Sequence, residues 1–76
     1  MKLSQLKIGH SAVITAVGGD GPLSLRLLDM GLIPKTRVTV QKVAPFGDPI
    51  QIAVRGYEMS LRREDAAMIE VEEASR

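Results

Sequence analysis

Arg26-Leu27-Leu28-Asp29-Met30-Gly31-Leu32-Ile33-Pro34 decides how this chain is read. The stretch is the end of a short helix that stops at Gly31 and hands over to a strand. Gly31 stands where a left-handed C-cap is wanted, Leu32 can fold back on Leu27, and Pro34 completes the stop. At about 100° per residue, Leu23, Leu27 and Met30 fall on one side of this helix, with Leu25 and Leu28 roughly opposite. One apolar stripe is enough to dock a surface helix on its core. The second stripe has to be covered by the chain's own loops or by something else, which points towards a protein that works by touching another protein.

Upstream, Pro22 suits a first helical position, and Asp20 can supply acceptors to the free amides of the first turn. Gly18-Gly19-Asp20-Gly21 breaks the β-branched strand Ser11–Val17, which follows a turn at Ile8-Gly9-His10. Strict alternation sets Ala12, Ile14 and Ala16 on one face and Val13, Thr15 and Val17 on the other. Arg26 and Asp29, three residues apart, are expected to pair on the wet edge of the helix.

Downstream, Arg37–Val43 reads as a strand with Val38 and Val40 inward, and Ala44–Pro49 as a loop of turn-forming residues. Ile50, Ile52 and Val54 alternate with polar or small residues at period two. Arg55-Gly56 fits a two-residue hairpin into a strand whose Tyr57, Met59 and Leu61 share a face. Residues 62–67 form one helical turn, Met68–Glu72 is the last strand, and 73–76 is expected to fray. Val40, Ile52, Val54, Met59, Leu61, Ile69 and Val71 are expected to share one core with Ile14, Leu23 and Leu27. The prediction is a mainly β domain: five short strands, one helix between the first and second, bent into a small barrel that hides its edges.

At 76 residues there is room for one domain, residues 1–76, which buries a modest fraction of its surface. With one Phe, one Tyr and no Trp, the core has to be aliphatic. Ten basic against nine acidic side chains give a net charge of +1, too even for an electrostatic argument about nucleic acid. The absence of Cys excludes disulfides, thiolate metal sites and cysteine nucleophiles, and is compatible with a reducing cytosol. No run approaches the roughly 20 apolar residues of a membrane span, and the first residues lack a signal-peptide core. A soluble intracellular domain is expected, without direct membrane insertion.

Arg26–Pro34, together with Ala44-Pro45-Phe46-Gly47-Asp48-Pro49-Ile50 and Val54–Arg62, resembles the signature of the ferrous iron transport protein A (FeoA) family. Leu6-Lys7-Ile8-Gly9 fits as well, so the resemblance covers nearly the whole chain in order. It implies an SH3-like β-barrel in the bacterial cytoplasm that assists FeoB, the membrane ferrous iron permease with a GTP-binding domain, in a regulatory or assembling role. The family usually has Gly after the proline of its Gly-Leu-x-Pro segment, where this chain has Lys35. A turn needing positive φ there would cost on the order of 1 kcal/mol, and a type I turn would avoid it. The same domain occurs fused behind metal-dependent repressors; a start at Met1 without a DNA-binding helix pair argues for the free-standing version.

Leu25, Leu28, Pro45 and Phe46 are the candidate partner-binding residues. Their plainer explanations are that Leu3, Leu6 and Ile8 cover the second stripe, and that Phe46 caps one end of the barrel. His10 is the only His, and Asp20, Asp48 and Glu58 have no ligand spacing around it, so no metal site or cofactor is predicted. Arg55, Arg62 and Arg63 are the nearest approach to a basic patch, with too few aromatics for base stacking. Ser24 and Ser60 lack a His–acid arrangement, and the glycine run lacks the Lys-Ser/Thr of a phosphate loop, so no catalysis is predicted. The leading expectation is an accessory protein acting on a FeoB-type permease, cytoplasmic and peripheral at the inner membrane through that partner, with self-association left open. A nucleic-acid-binding small barrel and a metal-binding regulatory domain, holding iron through His10 and carboxylates, are the alternatives.

Overall fold

Five strands form one antiparallel sheet: β1 (Ser11–Val17), β2 (Arg37–Val43), β3 (Ile50–Val54), β4 (Tyr57–Leu61) and β5 (Ile69–Glu73). Their order is β4-β3-β2-β1-β5. Helix α1 (Gly21–Asp29) fills the connection from β1 to β2, one helical turn α2 (Arg63–Ala66) joins β4 to β5, and a 3-10 turn at Leu3–Gln5 precedes β1. The computed structural model describes residues 1–19 and 21–74, so the expected role of Asp20 at the first turn of α1 lies outside the described residues. The ladder is not closed: β4 and β5 are its edges, and α2 runs between them with Ala66 buried. Edge strand β5 is partly covered by the N-terminal segment. Lys2 bridges to Glu70, its ammonium pairs with the Glu70 carboxylate, and that hydrogen bond holds the carboxyl below its usual range.

Two β-bulges bend the sheet. Ile14 pairs with Val71 and Ala16 with Glu70, which leaves Thr15 as the extra residue in β1 and inverts the alternation beyond it. This corrects the strict alternation expected from the sequence. Val17, opposite Ile69, turns to the core, and Ala16 is exposed. In β2, Val40 pairs with Ile52 but Lys42 with Gln51, so Gln41 is extra and Val43 turns in against the core opposite Ile50.

The stop of α1 is built as expected. Gly31 has φ 94°, its N–H donates to Leu28 O at 3.0 Å, and the Leu32 N–H donates to Leu27 O at 3.1 Å. These two bonds make a Schellman cap, and Leu27 and Leu32 are both fully buried beneath it. The chain then turns at Ile33-Pro34-Lys35-Thr36, where the Thr36 N–H donates to Ile33 O at 3.2 Å and Lys35 has φ 76°. With Pro at the second position and positive φ at the third, this is a type II turn, the kind that prefers Gly. It is welded to β1: Lys35 N–H donates to Ile14 O at 2.6 Å, and Ile14 N–H to Thr36 O at 2.9 Å. Arg55 (φ 51°) and Gly56 (φ 87°) form the two-residue hairpin expected between Val54 and Tyr57, with the positive φ values of a type I′ turn.

Ile14, Leu27, Val40, Ile52, Val54, Leu61, Ile69 and Val71 are buried together, with Leu23 and Met59 partly buried against them. Leu3, Leu6, Ala12, Leu32, Val38, Ile50 and Ala66 complete this aliphatic core. Of the expected frayed tail 73–76, Glu73 belongs to β5 and the Ala74 N–H donates to Ser11 O at 2.9 Å; Ser75 and Arg76 lie outside the described residues.

Truncation at the middle of this core, Ile52→Ala, is expected to cost about 2–5 kcal/mol in urea unfolding. The two turns call for substitutions of opposite sign. At Gly31 an added Cβ meets Tyr57 Oη at 2.8 Å in a backbone that L side chains resist, so Gly31→Ala is expected to destabilise by about 1–2 kcal/mol. Lys35→Gly relieves roughly 1–2 kcal/mol of left-handed strain and adds a smaller unfolded-chain entropy, so a net gain of up to about 1 kcal/mol is expected. Unfolding midpoints of the two variants moving the same way would overturn this account of the turns.

Candidate docking surface

Burying Leu27 fixes what the rest of α1 presents to solvent. Leu23 and Met30 pack partly against the core beside it, while Leu25 is 64% exposed and Leu28 half-buried. Leu3 and Leu6 do not cover this second stripe: both are core residues, and their 3-10 turn packs against α2 and β5. Ile8 is exposed as well. The surplus grease on α1 therefore remains at the surface at Leu25 and partly so at Leu28.

Phe46 does not cap the barrel. It is 99% exposed on the loop between β2 and β3, next to exposed Pro45. The loop that carries it is firmly tied. Ala44 N–H donates to Pro49 O at 3.0 Å, Gly47 N–H to Ala44 O at 2.7 Å, and Arg63 N–H to Asp48 Oδ1 at 3.0 Å. Arg63 Nη1 also donates to Gly47 O at 3.3 Å. An aromatic held out on a braced loop has already lost much of the freedom that binding would otherwise remove.

The turn α2 holds both apolar outcrops. It grips the Phe46 loop through Arg63, and it holds α1 through Asp65, whose Oδ2 accepts from Arg26 Nη2 at 3.2 Å. Asp65 is buried apart from 8% of its surface, and a buried carboxylate needs a cation more than exposed Asp29 does. That is why Arg26 pairs with Asp65 rather than with its helical neighbour Asp29. A second brace escaped sequence reasoning: Tyr57 Oη donates to Met30 O at 2.8 Å, tying the end of α1 to β4. Its signal was the position of Tyr57 at the start of a strand whose inward face leads to Leu61, with an aromatic long enough to reach past the sheet end.

The remaining candidate residues are scattered. His10 Nδ1 pairs with the Glu73 carboxylate, Asp48 accepts from Arg63, and Glu58 Oε1 accepts from Gln51 Nε2 at 3.0 Å. Among the described residues no three His, Asp or Glu side chains converge on one point, and no helix is long and apolar enough to cross a membrane. Arg55 stands on the β3–β4 hairpin, at the opposite end of β4 from Arg62 and Arg63, which begin α2.

Stability separates surface from core on α1. Leu25→Ser and Phe46→Ser are expected to stay within about 0.5 kcal/mol of the parent in thermal unfolding. Leu27→Ser is expected to lose about 3 kcal/mol or more, because it both opens a cavity and buries a hydroxyl. Comparable losses at Leu25 and Leu27 would make both stripes core.

Comparison with known proteins agrees with this fold. The FeoA domain family model matches residues 1–73. A Porphyromonas gingivalis protein, a fusion of Fe(2+) transport protein A with the Fe(2+) transporter FeoB, is 47% identical over 72 residues. The match covers 95% of this chain but only 8% of that much longer relative. The solution structure of Chlorobium tepidum FeoA superposes with TM-score 0.91 at 37% identity, covering 99% of this chain and 71% of that one. Stenotrophomonas maltophilia FeoA complexed with zinc, described as a prokaryotic SH3 domain protein, gives TM-score 0.83 at 26% identity, covering 95% and 89% of the two chains. With a match running from Met1 to Glu73 and a sheet of the same SH3-like form, this chain belongs to the FeoA domain family, whose members are linked to ferrous iron transport.

Proposed function

We propose that this domain is a non-catalytic accessory module of ferrous iron uptake. It docks through Leu25, Leu28, Pro45 and Phe46 on the cytoplasmic side of a FeoB-type GTP-binding permease, and is held at the inner membrane by that partner. The observation that carries this reading is the single polypeptide in which a FeoA segment closely similar to this chain is joined to FeoB. Joining two modules raises their effective concentration, which matters only for modules that act on each other. The surface supports the same reading. Exposed Phe46 and Leu25 add little to folding, yet each would be desolvated at an interface, where central apolar anchors carry most of the binding energy. The bracing of both outcrops by α2 favours a contact that transmits position, as regulation or assembly requires, over one that performs chemistry.

The test uses this chain as bait on detergent-solubilised membranes containing the permease, alongside ferrous iron uptake in cells. The parent is expected to retain the permease. Leu28→Ser and Phe46→Ser are each expected to weaken binding by about 2 kcal/mol, some 30-fold, and to reduce uptake while remaining folded. Folded variants that still bind the permease and support uptake would move the docking surface elsewhere. Recovery of RNA complexes by the parent in place of the permease would overturn the reading altogether.

A further inference from the structure

Three cations meet on the face of the sheet that carries Thr39 and Ala53. Lys35, Arg37 and Arg55 line one cleft of about 400 Å³, together with Thr36, Thr39, Ala53 and Gly56. The strand register explains the meeting. Val38 pairs with Val54, which sets Arg37 beside Arg55 on the neighbouring strand, and the turn before β2 adds Lys35. Like charges placed side by side across a ladder repel. This chain has nine acids against ten bases, yet no carboxylate lines the cleft, and none of the three cations has an ion pair among the described residues. Of the acids near it, Glu58, across from Ala53, accepts from Gln51 Nε2, and Glu73, which shares a neighbouring cleft with Arg37, pairs with His10, while Glu72 stands two strands from Arg37 on the far side of Val13.

Two of the cations are held in backbone conformations that non-glycine residues resist, at φ 76° for Lys35 and φ 51° for Arg55. Glycine would relieve both turns, so these side chains stand there at some cost to stability. A further observation comes from Thr36. It also lines the cleft, is only 4% exposed, and its Oγ1 has no hydrogen-bond partner among the described residues. A buried hydroxyl without a partner is costly, so the wall of the cleft is a further point of local strain.

We infer that this cleft binds a compact phosphate-bearing anion. Two guanidinium forks match phosphate oxygens in paired hydrogen bonds, and the Lys35 ammonium adds a mobile point charge. The space suits a mono- or diphosphate group, and the same chemistry is offered by a soluble phosphate or by the headgroup of an anionic lipid. The cleft shares no residue with Leu25, Leu28, Pro45 and Phe46, so its occupancy and permease docking are separable properties.

The experiment has two arms on the folded domain at low salt. Inorganic pyrophosphate is titrated with amide chemical shifts as the readout, and vesicles of phosphatidylglycerol are compared with vesicles of phosphatidylcholine by co-sedimentation. Shifts confined to residues 35–39 and 53–56 on adding pyrophosphate assign a soluble phosphate ligand. Sedimentation with phosphatidylglycerol vesicles alone assigns the lipid headgroup. In either arm Arg37→Gln is expected to weaken binding about tenfold, as is Lys35→Gly, which relieves rather than strains its turn. Arg62→Gln, which removes the same charge outside the cleft, is expected to leave binding within about twofold. An equal effect of Arg62→Gln, or the absence of binding to both probes, overturns the proposal.

Discussion

The left-handed stop at Gly31 is the constraint on which the rest of the molecule depends. Its two hydrogen bonds, Gly31 to Leu28 and Leu32 to Leu27, bring two fully buried leucines together at the end of α1. Once Leu27 faces inward, helical geometry leaves Leu25 facing out. The same stop aims the chain into the Pro34-Lys35 turn, where Lys35 N–H donates to Ile14 O and Thr36 O accepts from Ile14 N–H, setting the register in which β2 meets β1. Tyr57 then closes over the glycine from β4, at a distance that leaves no room for a Cβ. The end of α1, the turn that leads into β2 and the close approach of Tyr57 all rely on one residue lacking a side chain.

Most of this was legible because the signals are local. A glycine followed by Leu-Ile-Pro ends a helix whatever surrounds it, and Arg55-Gly56 between alternating strands makes a hairpin for the same reason. What escaped has a common physical origin in contacts made across long stretches of sequence. The bulge at Thr15 is fixed by pairing with Val71 and Glu70, so no reading of β1 alone reveals that Val17 turns in and Ala16 out. Arg26 has a carboxylate three residues away, but the one that needs it most is the buried Asp65, thirty-nine residues on. The partition of the apolar surplus was also beyond the sequence. Leu3 and Leu6 were available to cover Leu25 and Leu28, and only the packing of the N-terminal turn on α2 and β5 commits them to the core.

A small domain with a single Phe does not easily afford to leave that residue in water. The core here is assembled from Leu, Ile, Val and Ala, with methionines at its margin, and a chain of this length is expected to recruit every apolar group within reach. Phe46 is not recruited, and the loop beneath it is braced by hydrogen bonds to Ala44, Asp48 and Gly47 that hold it away from the core. Exposure of a flexible aromatic has little meaning, whereas exposure of a braced one is a placement. This asymmetry supports the docking role proposed for Phe46.

The polar surface obeys a related logic on a different part of the sheet. With a net charge of +1, enough carboxylates exist to neutralise nearly every cation, and Lys2, His10 and Arg26 all find one. Among the described residues Lys35, Arg37 and Arg55 have no ion pair, as is also true of Lys7, Lys42, Arg62 and Arg63, but these three are gathered in one cleft. Their repulsion and the strain of two turns act in the same direction, against the folded state, so both are most simply understood as held for something outside the chain. The apolar outcrops are held by α2 and the cationic cleft by two tight turns, two separate supports with no residue in common. A domain that engaged a protein by one and an anion by the other, as proposed, would respond to each independently.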